Sequence, residues 1–113
     1  MAYRVRLTFR AQMDADAAFE RIREISSRSA DRWLQGLFAA MMSLQNMPLR
    51  CPLIPEAEDL KHPARHLLYG KRSAVYRIII DVQEQSDEGP RVRILRIWRG
   101  AGDAISPEDI ESE

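Results

Sequence analysis

The chain has 113 residues, enough for one hydrophobic core but not for two. Its 17 basic and 17 acidic side chains cancel, which excludes a wholly basic surface for indiscriminate nucleic-acid binding, and its 45% hydrophobic share is that of an ordinary globular domain. No apolar run nears the roughly 20 residues of a membrane span. The opening residues, with Arg4, Arg6 and Arg10 among apolar neighbours, do not resemble a secretory signal, and the single Cys51 can form no internal disulfide, so the expected location is cytoplasmic.

Tyr3 to Phe9 alternates at period two, with Tyr3, Val5, Leu7 and Phe9 on one side and Arg4, Arg6 and Thr8 on the other, which predicts a half-exposed strand. Asp14 then offers an N-cap. Ala15, Ala18 or Phe19, Ile22 and Ile25 follow at helical spacing. The run Ser26 to Ser29 breaks this helix and caps a second, whose stripe is Ala30, Trp33, Leu34, Leu37, Phe38, Met41 and Leu44, with Pro48 as its stop. So short a link makes the two helices an antiparallel hairpin. Methionines on such a stripe are core filling. The Pro-rich Leu49 to Pro63 reads as a surface connection.

Three strands follow. His66 to Tyr69 leads through a Gly70–Ser73 turn into Val75 to Val82, which is rich in β-branched and aromatic residues. Here Tyr76, Ile78, Ile80 and Val82 share one face, while Arg77, Ile79 and Asp81 share the other. The polar loop Gln83 to Pro90 leads into Arg91 to Trp98. The order strand, helix, helix, strand, strand, strand predicts an α+β domain, with the helical hairpin on one face of a small, mostly antiparallel four-stranded sheet. One domain is expected over residues 1–104, with 105–113 an acidic tail carrying Glu108, Asp109, Glu111 and Glu113.

Common catalytic spacings are absent: no phosphate loop, nucleophile elbow or paired-histidine metal motif occurs. His62 and His66 are four apart, but Pro63 between them removes the helix that spacing requires, so no metal or cofactor is expected. What stands out is the gathering of Arg65, Lys71, Arg72, Arg77, Arg93, Arg96 and Arg99 on or beside the sheet, with Tyr69, Tyr76 and Trp98 interleaved. Guanidinium groups fork onto phosphate and rings stack on unpaired bases, a combination suited to single-stranded RNA. A solvated sheet face laced with cross-strand ion pairs would carry the same residues.

The segments YRVRLT, ADRWLQGLFAAMMSLQNMPLRCPLIPEAE, ARHLLYGKRSAVYRIII and VRILRIWRGAGD, in this order from Tyr3 to Asp103, resemble the RelE/ParE superfamily of toxins from bacterial type II toxin–antitoxin systems. The resemblance implies the fold just described, and a plasmid-stabilisation type of toxin neutralised by a cognate antitoxin. It further implies ribosome-dependent mRNA cleavage by a metal-independent endoribonuclease, an mRNA interferase. The alternatives are a ParE-like inhibitor of DNA gyrase without nuclease activity, or an attenuated, non-toxic member. For the cleaving branch it maps the catalytic role of clamping phosphate onto Arg65, Arg77 and Arg99. Lys71, Arg72, Arg96, Tyr76 and Trp98 are then expected around them as RNA or phosphate contacts. Many relatives read ILHIRHGAR where this chain reads ILRIWRGAG, which places Arg99 at their histidine.

Overall fold

A computed structural model describes residues 2–54, 63–71 and 74–100. Strand β1 (Arg4–Leu7) is followed by α1 (Phe9–Ile25), α2 (Ser27–Met42), two single 3-10 turns at Ser43–Gln45 and Pro48–Arg50, then β2 (Arg65–Tyr69), β3 (Tyr76–Gln83) and β4 (Arg91–Arg99). The sheet order is β1-β4-β3-β2. Both neighbours of β3 run antiparallel to it, while β1 lies parallel to β4. The expected α+β architecture with a mostly antiparallel sheet is the observed one.

The first strand stops earlier than its alternation suggests. Thr8 turns the chain from β1 into α1, its side chain accepting from Ala11 N while its hydroxyl donates to Ile94 O at 2.9 Å. Thr8, and not Asp14, is therefore the N-cap, and Phe9 begins the helix 67% exposed instead of ending a strand. Ala11, Ala15 and Ala18 form the buried stripe of α1, small enough to let the helix lie close to β4, whereas Ile25 at its end is 88% exposed. Ser26 alone links the helices and caps α2 by accepting from Ser29 N. Helix α2 ends at Met42, six residues before Pro48, and Met47 reverses the chain with φ +50°.

The alternation of β3 holds. Tyr76, Ile78 and Ile80 join Val92, Ile94 and Ile97 of β4 against Leu37 and Leu44, forming the main core on the helix side. On the opposite face Ile79 and Leu95 pack with Ile54 and Ala64 as a second, smaller core. This corrects two expectations. The face away from the helices is partly covered, and the segment after Pro48 is more than a surface connection, since Cys51 and Ile54 are each 2% exposed.

A bulge explains how β4 serves both cores. Ile79 pairs with Arg96 and Ile80 with Ile94, which leaves Leu95 as an extra residue. Leu95 and Arg96 then both turn to the face away from the helices, and Ile97 returns to the main core.

Candidate functional site

Residues opposed in a ladder share a face, so strand register places each candidate arginine. Arg77 lies opposite Leu68 and Trp98, on the face away from the helices. It is 6% exposed, and its Nε donates to Nδ1 of His66 at 3.1 Å. Burying a guanidinium is costly unless its donors are satisfied. The His66 partner and the packing of this face position Arg77 as part of the structure. His66 thus serves as a hydrogen-bond acceptor on β2.

Arg96 and Trp98 share that face, with the Arg96 guanidinium 5.0 Å from the centroid of the Trp98 ring. Yet Arg96 is already held: its Nε and Nη2 donate to the two oxygens of Asp14 at 2.7 and 2.9 Å. Asp14 also accepts the Ile97 backbone N–H at 3.0 Å. Because β1 pairs only with Arg91 to Ile94, α1 takes over this edge of β4. The residue read as a helix cap is instead the carboxylate that closes the sheet edge. Arg93 is likewise committed, to Asp81 at 2.9 Å.

Arg65 and Arg99 belong to the other side. Arg65 pairs with Ile80 and Arg99 with Tyr76, both of which face the helices. They stand four residues apart along β3, about 13 Å, on strands that flank it and are themselves about 10 Å apart. Arg65 Nη1 donates to the carbonyls of Cys51 (2.7 Å) and Leu49 (3.3 Å), pinning the segment after Pro48 to the start of β2. Arg65 and Arg93 border a cleft of about 350 Å³ that also contains Asp81. Arg99 is exposed at the far end of β4. Tyr76 is 4% exposed in the main core, its ring 5.2 Å from that of Trp33 and its hydroxyl accepting from Arg21 Nη2 at 3.3 Å. Lys71 is exposed at the β2–β3 turn, and Arg72 lies outside the described residues, as does His62.

The structure thus brings Arg77, Arg96, Trp98 and His66 to one face and sets Arg65 and Arg99 on the other. General acid–base chemistry at a phosphodiester needs its groups within hydrogen-bond reach of one reacting centre. By register, the three arginines mapped as catalytic do not surround such a point. Among the described residues there is no group of three metal-ligating side chains, and no helix is long and apolar enough to cross a membrane.

Sequence reasoning missed a large apolar groove. Between β1 and the helical hairpin runs a groove of about 660 Å³ lined by Val5, Leu7, Leu34, Phe38, Met41 and Met42, among others. Phe38 is 58% and Leu34 41% exposed along it. The signal was present in α2, whose apolar stripe takes in Leu34 and Phe38 as well as Leu37 and Met41 and is wider than the sheet beneath can cover.

Residues 5–104 match the family described as the ParE toxin of type II toxin–antitoxin system, parDE. The chain belongs to this ParE toxin family. The match runs from the second residue of β1 through the last strand and so takes in every helix and strand of the described fold but for Arg4. No curated protein matches the chain. Membership in a type II toxin family gives the chain an antitoxin as partner, and sets both the groove and the arginines in the context of a toxin that must meet a target and an inhibitor.

Proposed function

We propose that this ParE-family chain poisons by binding its target, DNA gyrase, without cutting a nucleic acid, and that its antitoxin silences it by laying an apolar segment along the groove between β1 and α2. The reading rests above all on the division of Arg65 and Arg99 from Arg77 between the two faces of the sheet. Metal-independent RNA cleavage calls for fixed cations and a proton-transfer group converging on one phosphate. Here Arg96 is occupied by Asp14, and Arg65 by backbone carbonyls. A docking toxin needs only a stable platform with exposed groups at its rim. For the antitoxin, the support is a largely apolar groove flanked by a helix, the geometry in which one amphipathic helix seats its apolar face.

Message cleavage is the second reading, and the contact that favours it is the Arg77–His66 hydrogen bond beside Trp98, an imidazole next to a guanidinium of the kind that can bind phosphate. One experiment separates the two. The purified chain is added to a gyrase supercoiling assay, and in parallel message from induced cells is mapped by primer extension. Loss of supercoiling with intact message is the expected result. Cleaved ribosome-bound message with unaffected gyrase would reverse the assignment.

A further inference from the structure

A second depression lies at the opposite border of α2 from the groove. It holds about 560 Å³ and is lined by Ser29, Arg32, Trp33, Tyr69, Lys71 and the Gly70 and Ala74 backbone. Its floor is aromatic and rigid. Trp33 and Tyr69 pack with centroids 6.2 Å apart, and the Tyr69 hydroxyl donates to the Trp33 carbonyl at 2.7 Å. Gly36 admits that hydroxyl, because a Cβ there would collide with it. Gly70, at φ +110° with its missing Cβ directed at the Ala74 carbonyl, fixes the turn that presents Lys71. At the rim Arg32 and Lys71 are both exposed, and among the described residues neither side chain has an ion pair or hydrogen bond. Among the described residues no acidic side chain lines the depression.

We infer that this depression is a second antitoxin contact, which takes an acidic side chain flanked by an apolar one, the carboxylate between Arg32 and Lys71 and the apolar group on Trp33 and Tyr69. This rests on the reading that an antitoxin segment follows α2. Trp33 and Leu34 are neighbours in α2 but point about 100° apart, so an antitoxin segment leaving the groove must pass over α2 to enter the depression. Among the described residues two cations border the depression, a match for one carboxylate. A nucleic-acid backbone would instead recruit a track of several cations, and the chain as a whole carries no net positive charge to attract it. Trp33 is also met edge-on by Tyr76 at 5.2 Å and is only part-exposed, which suits side-chain packing better than base stacking.

The test uses the two tryptophans as reporters, because Trp33 floors the depression while Trp98 lies on the opposite face of the sheet. The full chain, labelled with ¹⁵N, is titrated with the peptide acetyl-Glu-Leu-Asp-Phe-amide and with its Gln/Asn counterpart. The acidic peptide should move the Trp33 indole resonance and leave that of Trp98 in place, and should bind up to about fivefold more tightly than the neutral one, the scale of an exposed ion pair. The double variant Arg32→Ala/Lys71→Ala should abolish that difference. Equal binding of the two peptides, or no movement of Trp33, overturns the inference. So does an equal Trp33 response to inorganic phosphate or a thymidine hexanucleotide, which would mark a phosphate site. Growth rescue by co-expressed antitoxin, lost on Phe38→Asp, reports the groove separately, so the depression can fail while the groove stands.

Discussion

Asp14 grips Arg96 through both guanidinium nitrogens that face it, at 2.7 and 2.9 Å, and takes the Ile97 N–H with the same carboxylate. The side chains are 18% and 13% exposed, so water screens the pair only partly. A single residue of α1 thus supplies the hydrogen bonds that a longer β1 would have given to β4. Removing one partner leaves a charge and a backbone donor poorly satisfied in a largely dry place, which costs more than the intact pair contributes. Asp14→Ala is expected to lower unfolding free energy by about 2–4 kcal/mol. Urea denaturation should show a lower midpoint at unchanged slope. A loss below about 0.5 kcal/mol, typical of a neutral surface change, would count against this role.

The same pair marks where sequence ceases to be enough. The two faces of β3 were legible because period-two alternation is a local property, and Tyr76, Ile78 and Ile80 lie where it puts them. The helical hairpin was legible from its stripes and from the serine run between them. Asp14 has the chemistry of a cap, and nothing local distinguishes a capping aspartate from one that reaches 82 residues along the chain to Arg96. Thr8 took the cap because its hydroxyl also meets the Ile94 carbonyl, a tertiary contact. The site was less legible still. An arginine on a strand reads as a candidate whichever way it faces, and only the register and the bulge at Leu95 separate Arg77 from Arg65 and Arg99.

Gly36 gives a second prediction. In an ordinary helix interior, Gly→Ala gains up to about 1 kcal/mol. Here the new methyl would meet the Tyr69 hydroxyl, whose ring is held between α2 and β2. Gly36→Ala should therefore destabilise, by about 1–3 kcal/mol as overpacking does. Adding Tyr69→Phe removes the colliding oxygen and should recover part of that loss. A double-mutant cycle measures the coupling, and strict additivity of the two changes would refute the clash.

Tyr69 also sets an alkaline limit. Burial raises its phenol above the usual pKa of 10.0, because the ionised form would lose solvation. In the unfolded chain the proton leaves at the ordinary value, so above about pH 10 the unfolded state binds fewer protons than the folded one. The contribution of this group is fully present below that pH and is lost as pH rises through the folded value. Stability measured from pH 9 to 11 should fall less steeply in Tyr69→Phe than in the parent; identical slopes would mean that Tyr69 is not the titrating group.

Arg77 and Arg99 separate platform from contact surface. Arg77, 6% exposed and bonded to His66, has a structural share that Arg99 at the exposed end of β4 lacks. Arg77→Ala should cost about 1–3 kcal/mol, the penalty of leaving a part-buried polar partner unsatisfied. Arg99→Ala should stay within about 0.5 kcal/mol of the parent. On the docking reading, Arg77→Ala reduces growth arrest only as far as it reduces folded protein, and Arg77→Leu at a temperature where the fold persists retains activity. Thermal melting beside induced growth curves supplies both numbers for each variant. A folded Arg77→Leu chain that no longer arrests growth would give Arg77 a direct role and return weight to cleavage beside His66.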